Sequence, residues 1–599
     1  MPFLTPDVPP VDPAEFRTRP HQERIKEMAK FWSEFGFGTQ KMVHAIYIVK
    51  LLVLYIGGGV ALATLTSDVG GPFAVTSWWN EPIVYQKLIL WTLFLELVGV
   101  GGTWGPLAAH FKPMTGGISY WARPNTIRLP PWPGKVPLTS GDNRSIVDVL
   151  IYLATLASFL VAAASGPVQI AGFAYEIVNP TLMGISLVLL ILCGLRDKTL
   201  FLAARGEQYL PVLVLSALAG TVITGTDLIV GAKLAIVCVW VGASISKMNA
   251  HFENVVPPMV SNAPFAPKFI KRAHYRSVAN EDLKPSKLAW FMAHVLGTTA
   301  ELVVPLTLLL STSWTLTIIA VCCMVAFHLF ITQTFPLAVP LEWNLLYAYI
   351  AVFLFAGFPA GEGYGVMDLS QPWMLPVFAA ALLFFPILGN LRPDLVSFLP
   401  AMRQYAGNWA SATWAFAPGA EAKLNQLTRP AKNQYWQLTE GMGFEPDVAE
   451  MTLDMTLAWR SMHSQGRGLF SVMQKYLRSG YEGYTLREAE FCCNAIIGWN
   501  FGDGHLHDDQ LIHAIQKRVN FAPGEFVIVW VESQPIHKPT QEYFVMDAAL
   551  GIVERGTWLV SDCVSQQPWL PDGPVPTQVT WRHPKYHPDH TSVTTERAA

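Results

Sequence analysis

Apolar positions fill the first two thirds of the chain in long runs, and shorter strand-like runs appear only toward the C-terminus. A helix crossing a bilayer needs about 20 mostly apolar residues. Runs of that kind lie near 43–65, 84–104, 146–165, 178–195, 209–228, 230–247, 288–310, 314–335, 341–358 and 373–390. The pattern predicts a polytopic α-helical membrane protein of about ten spans. Residues 445–520 read as helices, with an amphipathic run at 485–499. Stretches 525–533, 541–547 and 551–560 read as strands, so a small α+β domain is expected after the spans.

Loop charge then sets orientation. Segment 1–41 carries Arg17, Arg19, Arg24, Lys26, Lys30 and Lys41, and loops 105–145, 196–208 and 248–287 also carry Lys and Arg. Loops 66–83, 166–177 and 359–372 carry none. By the positive-inside rule both termini lie in the cytosol, with the bacterial plasma membrane as the expected location. The resulting plan has a cytosolic N-terminal arm at 1–41 with an interfacial helix near 21–36. A transmembrane domain follows at 42–392, then a membrane-surface linker at 393–440. A separate cytosolic α+β domain at 441–570 and a flexible tail at 571–599 complete it.

Composition narrows the function classes. Charged residues make up 14% of the chain, against about 25% in soluble proteins. Net charge is −3 and no basic cluster occurs, which excludes nucleic acid as a partner. The seven cysteines contain no Cys-x-x-Cys pair. No Walker loop, Gly-x-Gly-x-x-Gly fingerprint or Gly-x-Ser-x-Gly elbow occurs, which argues against ATP-driven transport, nicotinamide chemistry and an α/β-hydrolase.

Ionisable residues inside spans carry the candidate chemistry, because charge is costly in lipid. Glu96, Lys233, Lys247, His294, Glu301, His328 and Glu342 are of this kind. Lys247, His251, His294, His328, Glu342 and Asn344 share one depth band toward the cytosolic face, and Glu96 lies just past mid-span. If they also converge laterally they form a polar pocket. There Lys247, Glu301, His328 and Glu342 would do acid–base work, while His251, His294, Asn344 and Glu96 would hold a substrate. Each has a structural alternative. Lys247 can snorkel as an anchor, His328 can serve as an interhelical hydrogen-bond partner, and Glu342 can cap its helix. Beyond the spans, His505, His507, Asp509 and His513 could hold zinc or iron. The alternative there is a glycine-rich turn leading into a helix.

The stretch 233–252 ends in Ser-Ile-Ser-Lys-Met-Asn-Ala-His-Phe. Residues 296–309 contain Glu301-Leu-Val-Val-Pro-Leu, and 326–330 read Ala-Phe-His-Leu-Phe before Glu342-Trp343-Asn344. In this order they resemble the vitamin K-dependent γ-carboxylase-like superfamily, whose bacterial members form the horizontally transferred transmembrane domain family. The resemblance covers about 230–350. It implies that Lys247 falls at the family's reaction base, Glu301 at its carboxylate and His328 on its histidine-bearing span. Position 246 is Ser rather than a second Lys, and the large lumenal domain is absent, so carboxylation of exported proteins does not carry over. The whole chain also resembles an uncharacterised actinobacterial membrane-protein family.

These readings converge on a membrane enzyme acting on a lipid or isoprenoid-like substrate, with a lipid or quinone-like ligand in the pocket. The alternative is a non-catalytic lipid-binding or transport component, or an assembly subunit of a cell-envelope complex. Membrane lipid is the expected partner, with proteins reached through the cytosolic domain.

Overall fold

The computed structural model describes residues 3–100, 116–334, 342–403 and 406–584. The apolar runs fold as helices. In chain order they are α2 (Lys41–Leu65), α3 (Pro82–Val98), α4 (Ile146–Ala164), α5 (Pro180–Arg196), α6 (Gly206–Ala217), α7 (Gly225–Lys247), α8 (Lys287–Leu310), α9 (Trp314–Thr334), α10 (Glu342–Ala356) and α11 (Met374–Leu391), preceded by α1 (His21–Phe35). Local chemistry starts several of them. Ser145 with Asp148, and Thr224 with Asp227, form capping boxes at α4 and α7. Pro82 and Pro180 occupy the first turns of α3 and α5, where a missing N–H costs nothing.

Ten spans are not reached. Among the described residues six helices are long and apolar enough to cross a membrane: α2, α4, α7, α8, α9 and α11. A seventh arises if α10 and the segment Ala360–Asp368, bent by 41°, count together. Helices α3 and α5 stop at 17 residues and α6 at 12, roughly 25 and 18 Å at 1.5 Å per residue. The expected span 209–228 ran through a turn whose Gly220 has φ +76°. The 84–104 run meets Gly99 at φ +95°, and its last residues lie outside the described ones. Buried polar side chains also mark α3 as an interior helix. Lys87 donates to Thr66 O, Thr66 Oγ1 and Ser165 O at 2.7 Å each, so its charge is solvated by protein.

Helix α7 is the hub. Buried residues make up 83% of its most apolar window, against 22–39% for the other five candidate spans. Its Lys233, expected as a functional charge, donates to the carbonyls of Phe358 and Tyr364 at 2.6 and 2.7 Å. It clips the end of α10 and the loop beyond to α7.

After a two-stranded ribbon, β1 (Tyr275–Ser277) with β2 (Asp282–Pro285), the remaining strands form one antiparallel sheet in the order β4-β3-β5-β6-β7-β8. They are β3 (Ser411–Phe416), β4 (Thr485–Glu488), β5 (Phe526–Val531), β6 (Thr540–Asp547), β7 (Gly551–Leu559) and β8 (Gln578–Arg582). Helices α12 (Pro446–Met462), α13 (Ser464–Leu477), α14 (Ala489–Ile497) and α15 (Asp509–Val519) accompany it. The three strands expected at 525–533, 541–547 and 551–560 are present as β5, β6 and β7. Three expectations change. Segment 393–440, read as a linker, supplies β3, which lies between β4 and β5. The run 485–499, read as one helix, begins as β4 because Thr485–Glu488 pairs with β3. The tail, read as flexible, adds β8 to β7; its remainder, 585–599, lies outside the described residues.

The sheet is not a separate body. Its side chains alternate between two cores, as a pleat requires. Trp414, Phe416, Phe526, Ile528 and Trp530 share one core with Trp240, Trp343 and Tyr347 of the helical bundle. Ala415, Val527, Val529 and Val531 share the other with Ile25, Met28 and Trp32 of α1 and with Met451 and Met455 of α12. Helix α1, read as interfacial, packs along α12. A one-residue slip of β5 would exchange the two sets.

Candidate functional site

The end of α7 nearest the sheet forms the site. A cavity of about 110 Å³ opens there between α7, α8, α9 and α10, with Phe501 from the loop after α14 in its wall. Its apolar lining includes Val239, Ala243, Phe252, Phe327 and Ile331. Four sequence-expected residues meet in it: Lys247, Glu301, His328 and Asn344. Shared depth was legible in the chain; lateral convergence comes from α7 packing along α8, and α9 along both α8 and α10.

Lys247, the last residue of α7, forms an ion pair and hydrogen bond with Glu301 of α8. Both are buried, at 7% and 4% exposure. The ammonium also stands 5.4 and 5.6 Å from the ring centroids of Phe327 and Phe252, within cation–π range. His328 is held at both nitrogens. Trp240 Nε1 donates to its Nε2 at 3.0 Å, and its Nδ1 lies 3.0 Å from Asn344 Oδ1. An indole nitrogen only donates, so Nε2 is the acceptor and Nδ1 carries the proton. His328 is therefore a neutral, oriented ring. The proton-bearing pair of the cavity is Lys247 with Glu301.

The other expected residues go elsewhere. Glu342 accepts from Tyr47 Oη and Lys50 Nζ at 3.0 and 3.1 Å, and Glu96 accepts from Tyr55 Oη at 3.2 Å. They belong to a second buried cluster against α2. His251 leaves the bundle: its ring bonds Ser464 Oγ at 2.7 Å and Gln541 Oε1 at 2.9 Å, joining α7 to α13 and β6. Burial pushes its pKa down to about 4, so it is neutral near pH 7. His294 is partly buried beside Trp290 and Phe252 and does not line the cavity.

The expected metal set does not assemble. Among the described residues no group of three or more His, Cys, Asp or Glu is placed to hold a metal ion. His505 Nε2 pairs with Glu532 at 2.7 Å, and His507 Nδ1 accepts from Asn500 at 2.7 Å. Asp509 begins α15 behind the N-cap Asp508, and His513 points outward. The turn-and-cap alternative describes this segment.

The His505–Glu532 pair carries a pH prediction. Burial lowers the imidazole pKa, but the hydrogen-bonded Glu532 carboxylate, with Asp503 and Asp508 beside it, outweighs burial and the net value rises to about 9. A raised folded-state pKa contributes stability that is full below the ordinary value near 6.5 and lost as pH rises through about 9. The apparent Tm of the purified chain is expected to fall over that window, and Glu532→Gln to flatten the fall. An unchanged slope in the variant would refute the pair as its source.

Sequence reading missed Trp240, Tyr347 and Phe501, which complete the cavity wall. Trp240 is one more aromatic in an apolar run, and Phe501 lies far along the chain. Neither offers a local signal.

A family described as "Transmembrane protein of unknown function (DUF3556)" matches residues 1–580. The chain belongs to this family. No curated protein and no solved structure matches it. The DUF3556 match takes in the helical bundle together with the sheet into β8, in keeping with their shared core. Membrane embedding follows from the family and from the six long apolar helices. The match lends nothing to the γ-carboxylase-like resemblance.

Proposed function

We propose that this protein takes an apolar, lipid- or isoprenoid-like molecule into the cavity at the end of α7 and carries out acid–base chemistry on it with Lys247 and Glu301. The observation that carries this reading is a buried ion pair in the wall of an otherwise apolar cavity. A buried pair is seldom a net source of stability, so its presence asks for another purpose. In the proposed role the ammonium donates to a substrate oxygen while the carboxylate receives the proton that leaves. His328 and Asn344 shape the polar end without titrating. The ordered motifs at Lys247, Glu301 and His328 support the same assignment by resemblance alone.

The proposed orientation places both termini in the bacterial cytosol. Basic loops gather on the sheet side: Lys198 pairs with Asp508 at 3.4 Å, Arg518 with Asp142 at 3.2 Å, and Lys30 with Glu281 at 3.1 Å. That side is the one the positive-inside rule assigns to the cytosol.

A second reading, a non-catalytic lipid binder, is favoured by one fact: both nitrogens of His328 are already engaged. Mass spectrometry of lipids retained by the purified full chain separates the two. Wild type and Glu301→Gln are expected to retain amphiphiles that differ in mass or chromatographic retention. The same species on both proteins would favour the binder. No enriched species on either would remove the cavity from consideration.

A further inference from the structure

The cavity wall holds polar atoms that no described residue satisfies. Asn344 Nδ2 and Tyr347 Oη both lie in lining residues, are buried, and have no hydrogen-bond partner among the described residues. Two other lining residues, Trp343 and Phe501, have their rings over the guanidinium of Arg205, with centroids 4.2 and 5.0 Å away. Arg205 is 1% exposed, and none of its three side-chain nitrogens has a hydrogen-bond partner among the described residues. It also sits at φ +59°, a left-handed conformation uncommon for a branched-out cation, just before α6.

The neighbours repeat the pattern. Glu207 lies 4.0 Å from Arg205, close enough to balance charge but too far to take a hydrogen bond. Both Glu207 oxygens, both polar atoms of the Gln208 amide and the Tyr209 hydroxyl are likewise buried and without partners among the described residues. Tyr347 is within electrostatic reach of Arg205, Glu207 and Tyr209. The cavity wall and this cluster therefore form one patch, divided by the Trp343–Phe501 ring pair, whose centroids are 5.3 Å apart.

Protein interiors rarely leave so many polar groups unmatched. The inventory defines what would match them. Arg205 and Asn344 offer donors, Glu207 offers acceptors, Gln208 offers both, and the Arg205 and Glu207 charges cancel. Hydroxyl groups donate and accept without charge. A phosphate would set a second anion against Glu207, and a quaternary ammonium would face Arg205 with no donor to give Glu207. We propose that the patch is a head-group subsite for an uncharged, polyhydroxylated amphiphile. Its chain lies in the Lys247 cavity, and its head parts the Trp343–Phe501 ring pair, which closes the way to Arg205 and Glu207 in this structure. This rests on the reading that the cavity takes a lipid-like molecule.

The test uses the full chain in a polyoxyethylene detergent, which carries no sugar. Decyl glucoside, decyl phosphate and decyltrimethylammonium are titrated against thermal stability, with free glucose as a control for the head alone. Decyl glucoside is expected to bind more tightly than the two charged probes, and glucose to have no effect. Tyr347→Phe, which removes only a hydroxyl, and Arg205→Lys are each expected to weaken decyl glucoside by roughly three- to tenfold, the loss of one hydrogen bond. Tighter binding of decyl phosphate, or decyl glucoside binding indifferent to both variants, would overturn the subsite. Equal binding of all three probes would overturn it while leaving the cavity reading intact. Failure of every probe to bind would remove both.

Discussion

Lys247→Met is expected to destabilise the full chain by about 3–5 kcal/mol, the range for breaking a buried ion pair from one side. The cost comes from Glu301. Among the described residues Lys247 is its one hydrogen-bond donor, and at 4% exposure the carboxylate has little access to water. The double variant Lys247→Met/Glu301→Leu removes the stranded charge and is expected to return to within about 1.5 kcal/mol of wild type. Chemical or thermal unfolding of the detergent-solubilised protein measures both. A loss below about 1 kcal/mol in the single variant would mean that Glu301 is already solvated, and the cavity would then be wetter than its lining indicates. The double variant is the useful control for function, because it separates a folded cavity from a reactive one.

Arg467→Gln is expected to cost at least about 3 kcal/mol, from several buried carbonyls that each lose a donor worth roughly 1–3 kcal/mol. Arg467, on α13, is 1% exposed. Its Nε donates to Ser461 O at 3.0 Å. Its Nη1 reaches Cys563 O and Gln566 O at 3.0 and 2.8 Å, and its Nη2 reaches Met462 O and Asn254 Oδ1 at 3.1 and 3.0 Å. One side chain thus joins the turn after α7, the α12–α13 junction and the segment after β7. Arg467→Lys is expected to recover little, since an ammonium has three donors on a point and cannot span these acceptors. Hydrogen exchange should rise at 461–463 and 563–566 in either variant. Unchanged exchange there would refute this role.

Some of this was written plainly in the chain. Long apolar runs located α2, α4, α7, α8, α9 and α11, and short runs rich in β-branched and aromatic residues located β5, β6 and β7, because length and composition are local properties. The span count was not local. A hydropathy window cannot see that Gly220 turns the backbone or that Lys87 points into protein. Strand β3 was hidden for a different reason: β5 is just as fully buried, but its Phe-Val-Ile-Val-Trp-Val run is β-branched and aromatic throughout, whereas β3 reads Ser-Ala-Thr-Trp-Ala-Phe and carries a weak strand signal. For the site, loop charge gave depth and nothing more. Lys247, Glu301, His328 and Asn344 converge, whereas Glu342 lies at a similar depth and turns to Lys50. His251 finds its partner 290 positions away, which no short-range pattern records. Arg205 lies in the basic loop 196–208, and its burial under the rings of Trp343, Trp499 and Phe501 was invisible.

The two-core sheet also dictates a timetable. The N-terminal helix α1 is made first, yet its partners are made near the end: the His21 backbone N–H donates to Glu482, 461 positions later. At roughly 5–20 residues per second, α1 emerges about 20–90 s before the surface it buries against. During that interval its face of Ile25, Met28 and Trp32 has to be sheltered by something else, the bilayer surface or a chaperone. Ribosomal pausing or premature termination after α11 would therefore yield an inserted bundle with α1 and the sheet-facing core uncovered, a species built to aggregate or be degraded.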